Sequence, residues 1–551
     1  MSSLSLNPVQ HSHSSHDASP PSPVWVGSLD TVRFDHEGIK ATLLNLDQPC
    51  FLLSHQGQLG ATNHGYLGDS DHDKSGVETI TAVPPLPVQQ LGDRAFLTTY
   101  GVHSAYATGA MANGIASEEL VIALGRAKLL SSFGAAGLVP NRIEAAIHRI
   151  QSSLPFGPYA FNLIHSPSEA AIEQRAVDLY LKHGIRTVEA SAFLDLTANI
   201  VRYRVAGLSL NAQNQIEIHN KVIAKISRRE VASKFMQPAP LKLLKQLLAQ
   251  GFITELQAKL AERVPIADDI TVEADSGGHT DNRPLVSLLP SILALRDKIQ
   301  DDYQYEQPIR VGAAGGIGTP HAALGAFMMG AAYVVTGSVN QACIEAGASA
   351  HTKALLTQAE MTDVAMAPAA DMFEMGVKLQ VLKRGTFFSM RAQKLYQLYA
   401  NYNSIDEIPS AERMKLEKQV FRTTLDAIWQ ATEQYFLQRD PEQIARAEGN
   451  PKRKMALIFR WYLGLSSRWS NSGELGREMD YQIWCGPAMG AFNEWVKGSY
   501  LEEPGNRQVV DVAHHIMTGA AYLYRLQNLK LQGVSLPSAY WFYCPRRFVR
   551  S

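Results

Sequence analysis

Two glycine turns, one after each of two consecutive apolar segments, constrain the fold more than any other feature of this sequence. They lie in residues 309–341, IRVGAAGGIGTPHAALGAFMMGAAYVVTGSVNQ. Residues 309–313 are an apolar run suited to a buried parallel strand. Gly315, Gly316 and Gly318 follow as a loop with almost no side chains, so its backbone N–H groups can approach a ligand closely. Thr319 is a good N-cap and Pro320 suits the first helical position, which predicts a helix directly after the glycines. Gly330 is expected to stop that helix, residues 333–335 to form the next strand, and Thr336-Gly337-Ser338 the second turn. A helix N-terminus behind a glycine loop favours an anion such as phosphate.

A dinucleotide loop of the G-x-G-x-x-G type does not fit, because the third position after Gly316 and Gly318 is His321. A turn that merely packs tightly would explain one of the two glycine segments. The pair is better explained by a (β/α)8 TIM barrel, in which the loops after strands seven and eight jointly hold a phosphate.

With 551 residues the chain is long enough for more than one domain. Its net charge of −1 offers no electrostatic attraction for nucleic acid or an anionic membrane. Cys50, Cys343, Cys485 and Cys544 are scattered without a C-x-x-C pair or metal-ligand spacing, which predicts free thiols and a reducing compartment. No apolar run is long enough to span a bilayer and no signal peptide is evident, so the expected location is cytoplasmic.

Residues 1–22 are polar and proline-rich and read as a disordered leader, with metal binding by His11, His13 and His16 as the rival reading. Residues 23–90 read as a small β-rich module, with SDHDKSG as a surface loop. Residues 91–350 carry the barrel pattern, starting with a first strand between Ala95 and Tyr106. SSFGAAGL, PYAFNLI, RTVEASA, NKVIAKIS and DITVEADSGGH supply strands two to six, with Asn141 as the cap of the second helix and a helical pair over 241–263. Residues 351–551 show no further βα units and read as a helical C-terminal region, including one long helix capped by Ser410. Six of the seven tryptophans lie there, as an aromatic core or as a surface for a macromolecular partner. Lys378, Lys383, Arg384 and Arg391 could meet an acidic partner.

Strand six ends in Glu273-Ala274-Asp275-Ser276-Gly277-Gly278-His279, at the face where barrel active sites sit. Two glycines before a histidine allow a sharp turn that presents the imidazole to the barrel mouth, where it can donate a proton. A packing histidine is the alternative. His321 reads as structural. Lys225, at the end of strand five, either places its charge against an electron-rich ring or leans out to solvent.

EADSGGH followed by VGAAGGIGTPHAALGAFMMGAAYVVTGS resembles the FMN-dependent barrels of 2-nitropropane dioxygenase (nitronate monooxygenase) and the flavin enoyl reductases. AMANGIAS and PYAFNL resemble the flavin-facing turns after strands one and three, so the similarity covers roughly residues 95–345. DMFEMGVKLQVLKRGTFFSMRAQKLYQLY and the terminal SAYWFYCPRRF resemble a narrower group, the PfaD family of trans-acting enoyl reductases of polyunsaturated fatty acid and polyketide synthases. This resemblance implies FMN, NADPH as hydride donor, and an enoyl thioester on acyl carrier protein as substrate. It places the FMN phosphate at Ala314, Gly315, Gly316, Gly337 and Ser338, and the flavin ring along Ala110, Met111, Ala112, Asn113, Asn162 and Lys225. Gly277 and Gly278 would border the ring, with His279 at its reactive side as candidate proton donor. No metal is implied, and a homodimer is compatible with the sequence. Rival readings are a nitronate-oxidising flavin enzyme and a non-catalytic docking subunit. An IMP-dehydrogenase-like barrel needs a cysteine after strand six, and none lies between His279 and Arg310.

Overall fold

Eight short apolar segments form a closed barrel of parallel strands. These are β1 Tyr106–Thr108, β2 Leu130–Phe133, β3 Ala160–Ile164, β4 Thr187–Ser191, β5 Lys221–Ile226, β6 Asp269–Glu273, β7 Arg310–Ala314 and β8 Val334–Thr336. They come from a computed structural model that describes residues 24–69, 77–165 and 170–547. The three early histidines and the SDHDKSG segment lie outside the described residues. Strands pair in chain order, and β8 closes on β1 with Val334 opposite Tyr106 and Thr336 opposite Thr108. Ala313 pairs with Val334, so the glycine turns that follow β7 and β8 lie side by side at the C-terminal face.

The start of the barrel differs from the sequence expectation. Arg94–Tyr100 is a helix, not part of a strand. Its β-branched and aromatic residues suggest a strand, but the Asp93 side chain caps the Ala95 N–H and Gly101 ends the helix in the left-handed conformation. The i, i+4 pair Phe96 and Tyr100 then faces inward. Phe96 stacks on Tyr333 with ring centroids 4.3 Å apart, and Tyr100 bonds Asp269. Arg310 meets the same carboxylate through two 2.7 Å bonds, a bidentate pair at the N-terminal end of β6 and β7.

Thr319 accepts from the Ala322 N–H and Pro320 opens the next helix, as its residues predict. In the second barrel helix Val139 and Pro140 occupy the start, so Asn141 is not its cap. The helix Ala198–Ala206, the hairpin Leu208–Leu210 with Ile216–Ile218, and the helix Arg229–Met236 add to the elements expected from sequence.

Beyond the barrel the elements among the described residues are helices apart from two antiparallel strands, β9 Val364–Pro368 and β10 Lys378–Leu382. The helix expected to run from Ser410 is broken. Pro409 is its cap, and Arg422 takes a left-handed conformation before a new helix, Leu425–Arg439, starts behind Thr424. Trp429, Trp461, Trp469 and Trp484 pack against one apolar cluster that includes Phe373, Phe388, Phe421 and Phe459. Aromatic core is therefore what most of the C-terminal tryptophans provide.

A separate compact unit comprises the described residues up to Pro87 together with Tyr524–Phe542. Its sheet runs in the order Gln58–Thr62, Cys50–His55, Glu78–Val83. Arg525 is buried there and donates to the carbonyls of Leu43, Asn45, Leu46 and Gln48. The four cysteines are free thiols.

Candidate functional site

At the C-terminal face of the barrel lies a cavity of about 930 Å³. It is lined by Ala110, Met111, Ala112, Asn113, Asn162, Lys225, Gly277, Gly278, His279, Ala314, Gly315, Gly316, Gly337 and Ser338, which gathers all the sequence-predicted site residues into one space. His321 is exposed at a helix start and does not line it.

The glycine turns form an open cradle. A Cβ added at Gly337, whose φ is −131°, would meet no atom within 4 Å. Gly316 is equally open but holds φ at +74°, which side chains rarely adopt. Ser338 Oγ accepts from the Gly486 N–H at 3.0 Å, which keeps its hydroxyl proton available for another acceptor. Gln341 is buried, lines the same cavity and has an amide nitrogen without a partner. An open, acceptor-seeking cradle of this kind fits a phosphate-bearing cofactor such as FMN.

Near the C-terminal end of β5 Lys225 lies 3.2 Å from Glu273 and 3.8 Å from Glu189. It does not lean out to solvent. Burial alone would lower its ammonium, but the two carboxylates outweigh burial and hold it above its ordinary range. Burial raises Glu189, whose carboxylate accepts from the Ala110 N–H at 3.2 Å. Asn162 donates to Glu189 O and Ser191 Oγ, so its orientation is fixed.

His279 owes its position to the post-barrel strands. Gly278 and His279 pair with Gln380 and Leu379 of β10. Gln380 also donates to Asp275 Oδ1 and Ser276 O, both at 2.8 Å, and so clamps the loop after β6. Gly277 is required because a Cβ there would lie 2.8 Å from the Cys485 backbone nitrogen. The imidazole Nε2 then sits 3.0 Å from Asp371 Oδ1, with a third of the side chain still open. Desolvation pulls the His279 pKa down, but Asp371 overrides it and the net shift is upward. The protonated ring thus persists to higher pH. By linkage this pair stabilises the fold below the ordinary histidine value and the contribution is lost as pH rises through the raised one. Asp371→Asn should therefore move the high-pH fall of any step needing His279 as acid to lower pH, in pH profiles of turnover; an unmoved profile would disconnect the pair from that step.

Asp371 is the main site residue that sequence reasoning missed. It lies 92 residues from its partner, in a segment read as helical. The alternation in VKLQVL was the available signal for β10.

Ala431, Tyr435, Phe436, Leu457, Trp461 and Leu463, from two C-terminal helices, give the cavity an apolar stretch of lining. Ser467, on one of these helices, accepts from Asn113 Nδ2 at 3.0 Å. The C-terminal helices are therefore walls of the site.

The basic residues expected to meet an acidic partner divide. Arg391 is bonded to fully buried Asp480, and Arg384 to Asp363 at 2.5 Å. Arg391→Glu would set a second carboxylate against Asp480, which Arg422 at 3.4 Å and Arg477 at 3.2 Å still offset, and should cost about 1–3 kcal/mol of stability; denaturant unfolding measures it, and an unchanged midpoint would contradict the role. Lys378 is exposed and lines the cavity.

Comparison with known proteins agrees with the barrel fold. A family model described as nitronate monooxygenase matches residues 101–397, more than half of the 551 residues. The fatty acid synthase subunit PfaD N-terminal domain matches residues 25–85, and the inserted helical domain of [acyl-carrier-protein] S-malonyltransferase matches residues 402–481. A subunit of the polyunsaturated fatty acid synthase of Thraustochytrium sp. is 49% identical over 93% of this chain and 34% of its own length. Polyketide biosynthesis protein PksE of Bacillus subtilis is 46% identical over 81% of this chain and 58% of its own. This chain thus spans only part of these relatives. The crystal structure of the enoyl reductase domain of MlnA, from the macrolactin biosynthesis cluster of Bacillus amyloliquefaciens, matches with a TM-score of 0.76 at 40% identity. That match covers 80% of this chain and 100% of the other. A homodimer finds no support in these relatives, and no helix among the described residues is long and apolar enough to cross a membrane. The chain belongs to the nitronate monooxygenase family of flavin-dependent oxidoreductases, in the group that carries the PfaD N-terminal domain.

Proposed function

We propose that this chain is an enoyl reductase that uses FMN and NADPH and acts on enoyl thioesters carried by acyl carrier protein, in polyunsaturated fatty acid or polyketide synthesis. The observation that carries the reading is the pairing of His279 with Asp371 in the cavity that the glycine cradle and the apolar side chains also line. Bound flavin would supply hydride transfer, which no side chain here can provide. The chain's own residues divide the remaining tasks. Gly315, Gly316, Gly337, Ser338 and Gln341 would hold the cofactor phosphate. Met111 to Asn113, Asn162 and Lys225 would border its ring. The apolar lining from the C-terminal helices would take the acyl chain and exclude water from it. His279, whose protonated form Asp371 favours, would deliver a proton to the α-carbon of the thioester.

The relatives support this reading through their names, which include an enoyl reductase domain and a polyunsaturated fatty acid synthase. The test is NADPH oxidation by the purified, FMN-loaded chain with a crotonyl thioester on carrier protein, with mass spectrometry of the acyl group. A gain of two mass units in step with NADPH loss is expected. Turnover of nitroalkanes with O2, and none of the thioester, would select nitronate oxidation instead.

A further inference from the structure

Most charged side chains lining the cavity sit in ion pairs. Glu273 faces Lys225 at 3.2 Å, Asp281 faces Arg228 at 3.0 Å and Asp371 faces His279 at 3.0 Å. Arg460 meets Glu374 at 3.4 Å. Two lining cations remain, Lys378 and Arg468, both exposed and neither in an ion pair among the described residues. Both are anchored to the site. Lys378 begins β10, whose next residue pairs with His279, and Arg468 follows Ser467, the partner of Asn113. Elsewhere in the lining Phe436 and Leu457 are apolar and buried.

We propose that Lys378 and Arg468 form a phosphoryl-recognising rim, so that the cavity selects a ligand with an anionic head outside and an apolar tail within. The inference rests on the enoyl reductase reading for its choice of ligands. A phosphoryl group could arrive from two sources: the phosphodiester of a phosphopantetheine arm, or the 2′-phosphate of NADPH. Arginine and lysine both suit it, the first as a planar fork and the second as a point charge. Because the rim is exposed, its effect is screened by salt.

The test uses the full FMN-loaded chain and the variants Lys378→Gln, Arg468→Gln and the double variant. Calorimetry compares phosphopantetheine with pantetheine, and adenosine 2′,5′-bisphosphate with adenosine 5′-phosphate. The unsubstituted protein is expected to prefer one phosphorylated ligand over its counterpart by about tenfold, and each substitution to remove about three- to fivefold of that preference. The preference should shrink at high ionic strength, with flavin content unaltered. Loss confined to the pantetheine pair assigns the rim to the substrate arm, and loss confined to the nucleotide pair assigns it to NADPH. No preference in the unsubstituted protein, or one that survives the double substitution, overturns the proposal. A phosphate-dependent preference in a protein that reduces no enoyl thioester would leave the rim standing and remove the enoyl reductase reading.

Discussion

His279→Ala is expected to keep its flavin and to be bleached by NADPH at an unaltered rate, yet to recover its absorbance with enoyl thioester about 10² to 10⁴ times more slowly. The expectation follows from where the imidazole sits. It lines the cavity at the end of the β6 loop, held by β10 on one side and by Asp371 at 3.0 Å on the other. Nothing in that placement makes it a support of the glycine cradle, which is built from the turns after β7 and β8. Removal should therefore affect the proton delivered to product and leave cofactor retention intact. Stopped-flow absorbance separates the two stages. Loss of flavin would make His279 a cofactor ligand. Unaltered rates in both stages would make it a packing residue, with the proton supplied by another group or by water.

The second large effect is expected at Gly337. Gly337→Val should give folded protein with about tenfold or more less bound flavin, because the added side chain would fill the cradle. Gly337 is a cleaner probe than Gly316. Its φ is negative and its Cβ direction is empty, so substitution perturbs the ligand space and not the fold. At Gly316 the positive φ adds backbone strain of about 1–3 kcal/mol, so lost flavin there would have two causes. Flavin content by absorbance and thermal unfolding together decide the matter. Stoichiometric flavin in a stable Gly337→Val protein would remove the phosphate assignment.

The parts of this fold legible from sequence are those specified locally. Thr319 and Pro320 set a helix start, and Gly316 and Gly337 mark turns, whatever the rest of the chain does. The segment from Ala95 to Tyr106 misleads because tertiary context decides it. FLTTY has strand-forming residues, yet Asp93, Gly101 and the inward-facing Phe96 and Tyr100 make it a helix. His279 carries its own signal, in the two glycines before it. Asp371 does not. A lone aspartate acquires meaning only when β9 and β10 fold back along the loop after β6, and no spacing along the chain records that return. Lys225 is ambiguous in sequence for the same reason, since Glu189 and Glu273 are brought to it by neighbouring strands.

One cavity is expected to hold a flavin beside an enoyl thioester, and visible absorbance reads both. The FMN-loaded protein is mixed under anaerobic conditions first with NADPH and then with a carrier-bound enoyl thioester. Rapid bleaching by NADPH and prompt, stoichiometric recovery on adding the thioester are expected, with the saturated acyl group as product. A protein that cannot be loaded with FMN, or one whose absorbance recovers with O2 and nitroalkane but not with the thioester, would contradict this reading.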